Sequence, residues 1–280
     1  MLRLLGKNIG LSYESQLRVL AYHDIPMSQK THFSNQINWL NDNWNIITPN
    51  QFESMLLGDM PITGDNVLIT FDDGFISNSI IAKEILNPLE IKAVFFVVSD
   101  FVDLTSNSNS RKFIAKNIMP GQNIEDIPED LTNMGWKDLK ELVKNGHTIG
   151  CHTKTHERLT SDLSELDLAR EIESSAMKIN KKLGIKVNHF AYTFGDIDSF
   201  SQEALNIASK NFNFVYSCIR GNNAVNVSQF AIRRESSATK NTSNEYRLLN
   251  NRAIDMILRG VFDSKYSKAR KIIDSWCKQL

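Results

Sequence analysis

The 280-residue chain sets 32 basic against 32 acidic side chains, so no global field marks it for nucleic acid or another polyanion. At 41% hydrophobic residues it has the length and apolar content for a large α/β domain with a substantial core. Three widely spaced cysteines (Cys151, Cys218, Cys277) without a CxxC pair argue against a disulfide framework and read as free thiols of a reducing compartment.

In chain order, the first stretch is "MLRLLGKNIGLSYES". Its apolar run is broken by Gly6, Lys7 and Asn8, too short and polar for the core of a signal peptide. No run of about 18 apolar residues follows, and a cytoplasmic protein is expected. Short segments rich in β-branched and aromatic residues then read as buried strands: 18–23, 67–71, 93–98, 147–151, 189–194, 212–218 and 230–234. "FISNSIIAKEIL" (75–86) predicts a helix. Residues 103–135, with "TSNSNS", "MPGQ" and "IPED", break the rhythm and read as a long surface insertion near one mouth of the fold. "WKDLKELVKNG" predicts a helix stopping at Gly146. A longer one is expected over 160–184, capped by Thr160 or Ser161, with Leu163, Leu166, Ala169, Ile172, Ala176, Ile179 and Leu183 on its apolar face. From about Glu245 the tail reads as helical, with Gly260 between two helices. Strands apolar on both faces, alternating with amphipathic helices, indicate a parallel sheet covered by helices, as a barrel or an open sheet.

The chemistry concentrates at the strand ends. "VLITFDDGF" places Asp72 and Asp73 side by side after an apolar run, where unpaired buried charge is costly. "GCHTKTHERL" sets His152 and His156 four residues apart, a spacing that on a helical turn puts both imidazoles on one face. Two histidines and one aspartate leave an open position on a divalent metal for water, while the second aspartate stays free to take a proton.

"TFDDG" followed by "HTKTH" resembles the first two motifs of the polysaccharide deacetylase (NodB-homology) family, and the resemblance runs from about Val19 to about Arg234. It implies a distorted (β/α) barrel with the site at the C-terminal strand ends, and one domain over 1–280 carrying the insertion and the helical tail. It also implies that Asp72 is the general base and that Asp73, His152 and His156 are metal ligands. "FAYTFG" (190–195) resembles the third motif, with Thr193 where proline is usual, and implies that the Phe194 N–H helps hold an oxyanion. The late histidine that usually serves as acid is absent. "LAYHDI" resembles a rearranged subgroup with that histidine on the first strand, which assigns the acid to His23, expected near neutral pKa beside carboxylates such as Asp24. Arg234, at the end of "FAIRR", is the candidate for orienting the base.

The expected function is removal of N-acetyl groups from an amino sugar of a surface polysaccharide or its precursor. Zn²⁺ leads Co²⁺, Ni²⁺ and Fe²⁺ as the metal. The alternatives are a small non-sugar amide as substrate and a non-catalytic glycan-binding protein. His32, His147 and His189 read as structural, Cys151 as a buried strand residue, and Phe95, Phe96 and Trp136 as core. The basic residues of the tail (Arg252, Arg259, Lys265, Lys268, Arg270, Lys271) read as a solvated helix face, with peripheral contact to an anionic membrane surface as the other reading.

Overall fold

The structure is a computed structural model that describes residues 15–240 and 246–280; the N-terminal stretch read against a signal peptide lies outside them. β1 (Gln16–Tyr22) and β3 (Asp65–Phe71) pair in parallel along their whole length, from Gln16 opposite Asp65 to Tyr22 opposite Phe71. β2 (Asn45–Ile46) takes the start of the other edge of β3 and β4 (Val94–Val97) takes its end. The parallel order then runs through β5 (Thr148–Cys151), β6 (His189–Ala191) and β7 (Phe214–Tyr216).

The free edges of β1 and β7 meet a single segment. β8 (Glu235–Ser236) pairs with β1, and just before it Ile232 bridges to Tyr216 of β7, its N–H reaching Val215 O at 2.9 Å. That segment joins the two end strands and curls the sheet into a distorted barrel. The fold is therefore a distorted (β/α) barrel, as the resemblance implies.

Side-chain alternation divides the strands into two faces. Leu17, Val19, Leu68, Val94, Phe96, Ala191, Phe214, Tyr216 and Ile232 pack together inside the barrel, with Phe52 and Met55 of the helix Pro49–Leu57 against them. Leu20, Tyr22, Ile69, Phe71, Phe95, Ile149, Phe190 and Val215 face outward into the helical layer. Gly150 is required inside: a Cβ there would lie 2.3 Å from the Phe96 ring. Among the described residues, no helix is long and apolar enough to cross a membrane.

Several local expectations are corrected. The long helix starts at Glu165 and is capped by Ser164, whose Oγ accepts from Asp167 N, rather than by Thr160 or Ser161. Its middle, Arg170–Ser174, is a π stretch before the α-helix resumes over Ser175–Leu183. The wider turn shifts the phase, so Leu168 takes the buried place expected of Ala169 while Leu166 stands 78% exposed. The tail is not helical from its start. Tyr246–Leu248 is a strand paired antiparallel with Ala238–Lys240, and the helices follow at Asn251–Leu258 and Ser267–Cys277, separated at Gly260 with φ +76°. Helices Lys30–Asn43 and Gln202–Asn211 carry weaker periodic signals and were not expected.

The insertion sits near the strand ends, but it is folded: Asn107–Phe113 is helical and continues as a π stretch over Ile114–Ile118. Ile114, Ile118, Met119, Ile127 and Leu131 share a small core with Phe75, Val98 and Phe101.

Candidate active site

The alternation that builds the barrel interior also aims the site. Asp72 continues the inward series of Leu68 and Thr70, His152 that of Gly150, Arg234 that of Ile232, and His23 that of Val19 and Ala21. Each stands just past the C-terminal end of its strand, except Arg234, which directly precedes β8.

Asp73 has the opposite parity and is brought back by its backbone. Its φ is +73°, and Gly74 N donates to Asp72 O at 2.9 Å, the hydrogen bond and φ of the strained γ-turn. Phe194 repeats the device with φ +61° and Gly195 N on Thr193 O at 2.6 Å. Thr153 and His156 are also left-handed, at φ +64° and +67°. Non-glycine residues in this region cost of order 1–3 kcal/mol each and persist where surroundings hold them.

Those angles overturn the helical turn expected for His152 and His156. The segment is an open loop in which His156 N donates to Thr153 Oγ1 at 3.0 Å. The pair converges nonetheless. His152 Nδ1–H donates to Ala191 O at 2.8 Å and His156 Nδ1–H to Asn117 O at 2.9 Å, so in the neutral rings both Nε2 lone pairs point into the site. Asp73 Oδ1 lies 3.5 Å from His152 Nε2 and 3.2 Å from His156 Nε2. Asp73 is 1% exposed, and among the described residues neither of its carboxylate oxygens has a hydrogen-bond donor. Burial raises its pKa, but the two imidazoles, when protonated, outweigh this and hold it well below the usual carboxylate range. Ligand atoms of the three residues all lie within 4.8 Å of one another. Two imidazole nitrogens and an orphaned carboxylate facing one point are the donor set of a divalent cation, and the residues fit a metal.

Asp72 beside them is built differently. Arg234 Nη1 donates to Asp72 Oδ1 at 2.7 Å, and both side chains are buried. The guanidinium is committed on its other edges to Ser217 O at 2.9 Å and Cys218 Sγ at 3.4 Å, with its centre 5.2 Å from the Phe96 ring. Burial pushes the Asp72 pKa up, but Arg234 and the nearby histidines pull it below the ordinary value. Burial likewise pushes up the Cys218 thiol.

His23 follows β1 with its carbonyl held by Asn78 Nδ2 at 2.9 Å, and it feels the charges of Asp72, Asp73, His152 and Arg234. Burial outweighs the two carboxylates, so its pKa is lowered rather than near neutral. The Phe194 ring sits edge-on to His156 with centroids 4.8 Å apart. All seven expected site residues thus gather at one end of the barrel.

Comparison with known proteins places this geometry. The sequence profile described as Polysaccharide deacetylase matches residues 60–211, more than half of the chain. The chain belongs to the polysaccharide deacetylase family. It is 26% identical over 204 residues to the polysaccharide deacetylase homologue YxkH of Bacillus subtilis (strain 168), spanning 70% of this chain and 62% of that protein's length. Two solved structures share the fold: IcaB from Ammonifex degensii (TM-score 0.63, 23% identity, 80% of this chain and 92% of that one) and the Streptococcus pyogenes deacetylase PplD in complex with acetate (TM-score 0.63, 17% identity, 87% and 98%).

Within this family member, other residues support the site without a sequence signal. Asn117 lends a backbone carbonyl from the insertion, which any residue type supplies. Glu171, 4% exposed in the π stretch, accepts from Lys154 N at 3.1 Å, Thr155 N at 2.8 Å and Thr155 Oγ1 at 2.9 Å, steadying the loop before His156. Glu171 is one of five acidic residues in the expected long helix, and nothing in the sequence sets it apart. His147 and His189 are structural, as expected: His147 bonds Ala93 N and Asn87 Oδ1, and His189 bonds the Tyr216 hydroxyl and Glu53.

Proposed function

We propose that the protein is a metal-dependent carbohydrate N-deacetylase that hydrolyses the N-acetyl amide of an amino sugar in a surface polysaccharide or its precursor. The observation that carries this reading is the buried Asp73 carboxylate, without a donor among the described residues and faced by two oriented Nε2 atoms. When bound there, a divalent ion, with Zn²⁺ the first candidate, supplies Lewis-acid polarisation of the amide carbonyl and acidification of the attacking water.

The chain's own residues divide the rest. Asp72, kept ionised by Arg234, accepts a proton from the water as its oxygen attacks the carbonyl carbon. The Phe194 N–H donates to the developing oxyanion, from a turn whose backbone is already strained into place. His23, when protonated, donates to the departing nitrogen, so the C–N bond breaks to acetate and a free sugar amine. Arg234 acts through Asp72 and is a positioning residue.

Acetate release from N-acetylated oligosaccharides by chelator-stripped protein, before and after adding Zn²⁺, Co²⁺ or Ni²⁺, tests the proposal. Release restored by one ion per chain and abolished in His152→Ala is the expected result. Tight sugar binding without acetate release under any metal would instead leave a glycan-binding protein.

A further inference from the structure

Thr193 is the residue at which the third motif departs from its usual proline, and its environment gives the threonine a task. It is fully buried, and its Oγ1 donates to Glu157 O at 2.5 Å. Glu157 directly follows His156, and Phe194 directly follows Thr193, so this hydrogen bond joins the two site segments at their tips.

Further contacts zip the same two segments together. Leu159 and Phe200 form a parallel bridge, with Leu159 N on Ser199 O and Ser201 N on Leu159 O, both at 2.9 Å. The Phe194 ring is held between the His156 ring and the Arg158 guanidinium, the latter 3.9 Å from its centroid. Beyond Phe194, Gly195 is pressed against the next strand end: a Cβ there would lie 2.7 Å from Cys218 N.

Both segments carry left-handed non-glycine backbone, at His156 and Phe194, of the kind that needs external restraint. A proline would stiffen its own loop through its fixed φ, yet it would have no hydroxyl for the neighbouring loop. We propose that Thr193 is a positioning residue whose hydroxyl fastens the Phe194 turn to the loop carrying His156, so that the oxyanion-facing N–H and a metal-ligand imidazole move as one unit. Its consequence for metal binding rests on the function proposed above; the mechanical coupling does not.

The test compares Thr193→Val, which keeps the shape and removes the hydroxyl, with Thr193→Ser, which keeps the hydroxyl. Amide hydrogen exchange of the metal-free full chain should quicken in Thr193→Val over both 152–158 and 192–196, and stay at the wild-type rate in Thr193→Ser. Co²⁺ titrated into each protein should bind Thr193→Val about tenfold more weakly, with a changed visible spectrum, while Thr193→Ser matches wild type. Exchange unchanged in Thr193→Val, or quickened over 192–196 alone, overturns the coupling. If wild type takes up no Co²⁺ the metal reading fails, and the exchange result still decides the clamp. Should Thr193→Val not fold, Thr193→Ala removes the same hydroxyl without the added methyl and is read in the same way.

Discussion

Two consecutive residues, Arg234 and Glu235, serve opposite faces of the barrel wall, and each forms a buried ion pair. Inside, Arg234 meets Asp72 at 2.7 Å; outside, Glu235 meets Arg18 Nη1 at 3.0 Å. The pairs are chemically alike and the outcomes opposite: the Asp72 pKa is lowered, whereas burial and the neighbouring Asp263 push Glu235 up to about 7. The difference lies in how many carboxylates each guanidinium serves. Arg234 spends its other donors on Ser217 O and Cys218 Sγ, so among the described residues Asp72 is the one carboxylate it pairs with, and His152 and His23 add to the pull on it. Arg18 is shared with Asp263 at 2.8 Å, and a second cation, Arg220, approaches Glu235 only to 3.7 Å. An undivided arginine makes a carboxylate that stays ionised; a divided one makes an anchor that ties the tail to the barrel.

The largest expected effect breaks the inner pair at its carboxylate. Asp72→Asn keeps an acceptor for Arg234 but cannot take a proton, so acetate release should fall about 10²–10⁴-fold, with Zn²⁺ binding by calorimetry unchanged. Loss of metal binding in this variant would make Asp72 a ligand instead. Next come the two arginines. Removing one partner of a buried pair costs about 3–5 kcal/mol, so Arg18→Met and Arg234→Met should both lower the urea midpoint. Only Arg234→Met should also change catalysis. Without its guanidinium, burial drives the Asp72 pKa upward, and the acidic limb of the kcat/KM profile should move to higher pH. If Arg18→Met moves that limb as well, the two faces are not independent. Replacing Arg18 and Glu235 together by Met should recover part of the lost stability, because the buried Glu235 charge leaves with its partner while Asp263, partly exposed, loses Arg18 but keeps contact with water.

The sequence made the inner pair far more legible than the outer one, for a physical reason. The inner site sits where strands end, and a strand ending in adjacent aspartates, or a histidine at an inward position, contradicts the demands of burial visibly enough to demand chemistry. Asp72 and Asp73 could therefore be named from local context and His152 from its spacing to His156, whereas Arg234 came only through the family resemblance. Arg18 and Glu235 lie on the outward face, where an isolated charged residue reads as solvent-exposed until the tail is known to cover it. Asp263, the residue that divides Arg18, lies in a part of the tail where only helix faces were legible. The same limit explains His152 and His156, whose spacing suggested a helix; the left-handed angles that replace it depend on Thr153, Glu171 and Thr193, which sequence distance keeps apart.

The smallest effect is the dependence of stability on pH, and it has opposite signs for the two carboxylates. Glu235 titrates at about 7 in the fold against an ordinary 4.5, so between these values the folded chain holds more protons than the unfolded one. Its contribution is fully present below pH about 4.5 and is lost as pH rises through about 7, a change of at most about 3 kcal/mol. Asp72 works the other way: its folded pKa is lowered, so its contribution is present above the ordinary carboxylate value and is lost as pH falls through the lowered one. Asp24, raised to about 6 by burial, titrates with the same sign as Glu235 in this window, and His147, lowered to about 4 by burial, with the opposite one. The urea midpoint of wild type minus that of Glu235→Gln, in which the outer group no longer titrates, isolates Glu235 and should fall as pH rises from 4.5 toward 7. A difference that stays constant over this window would mean that Arg18 is not overcommitted, and that the outer pair, like the inner one, holds its carboxylate ionised.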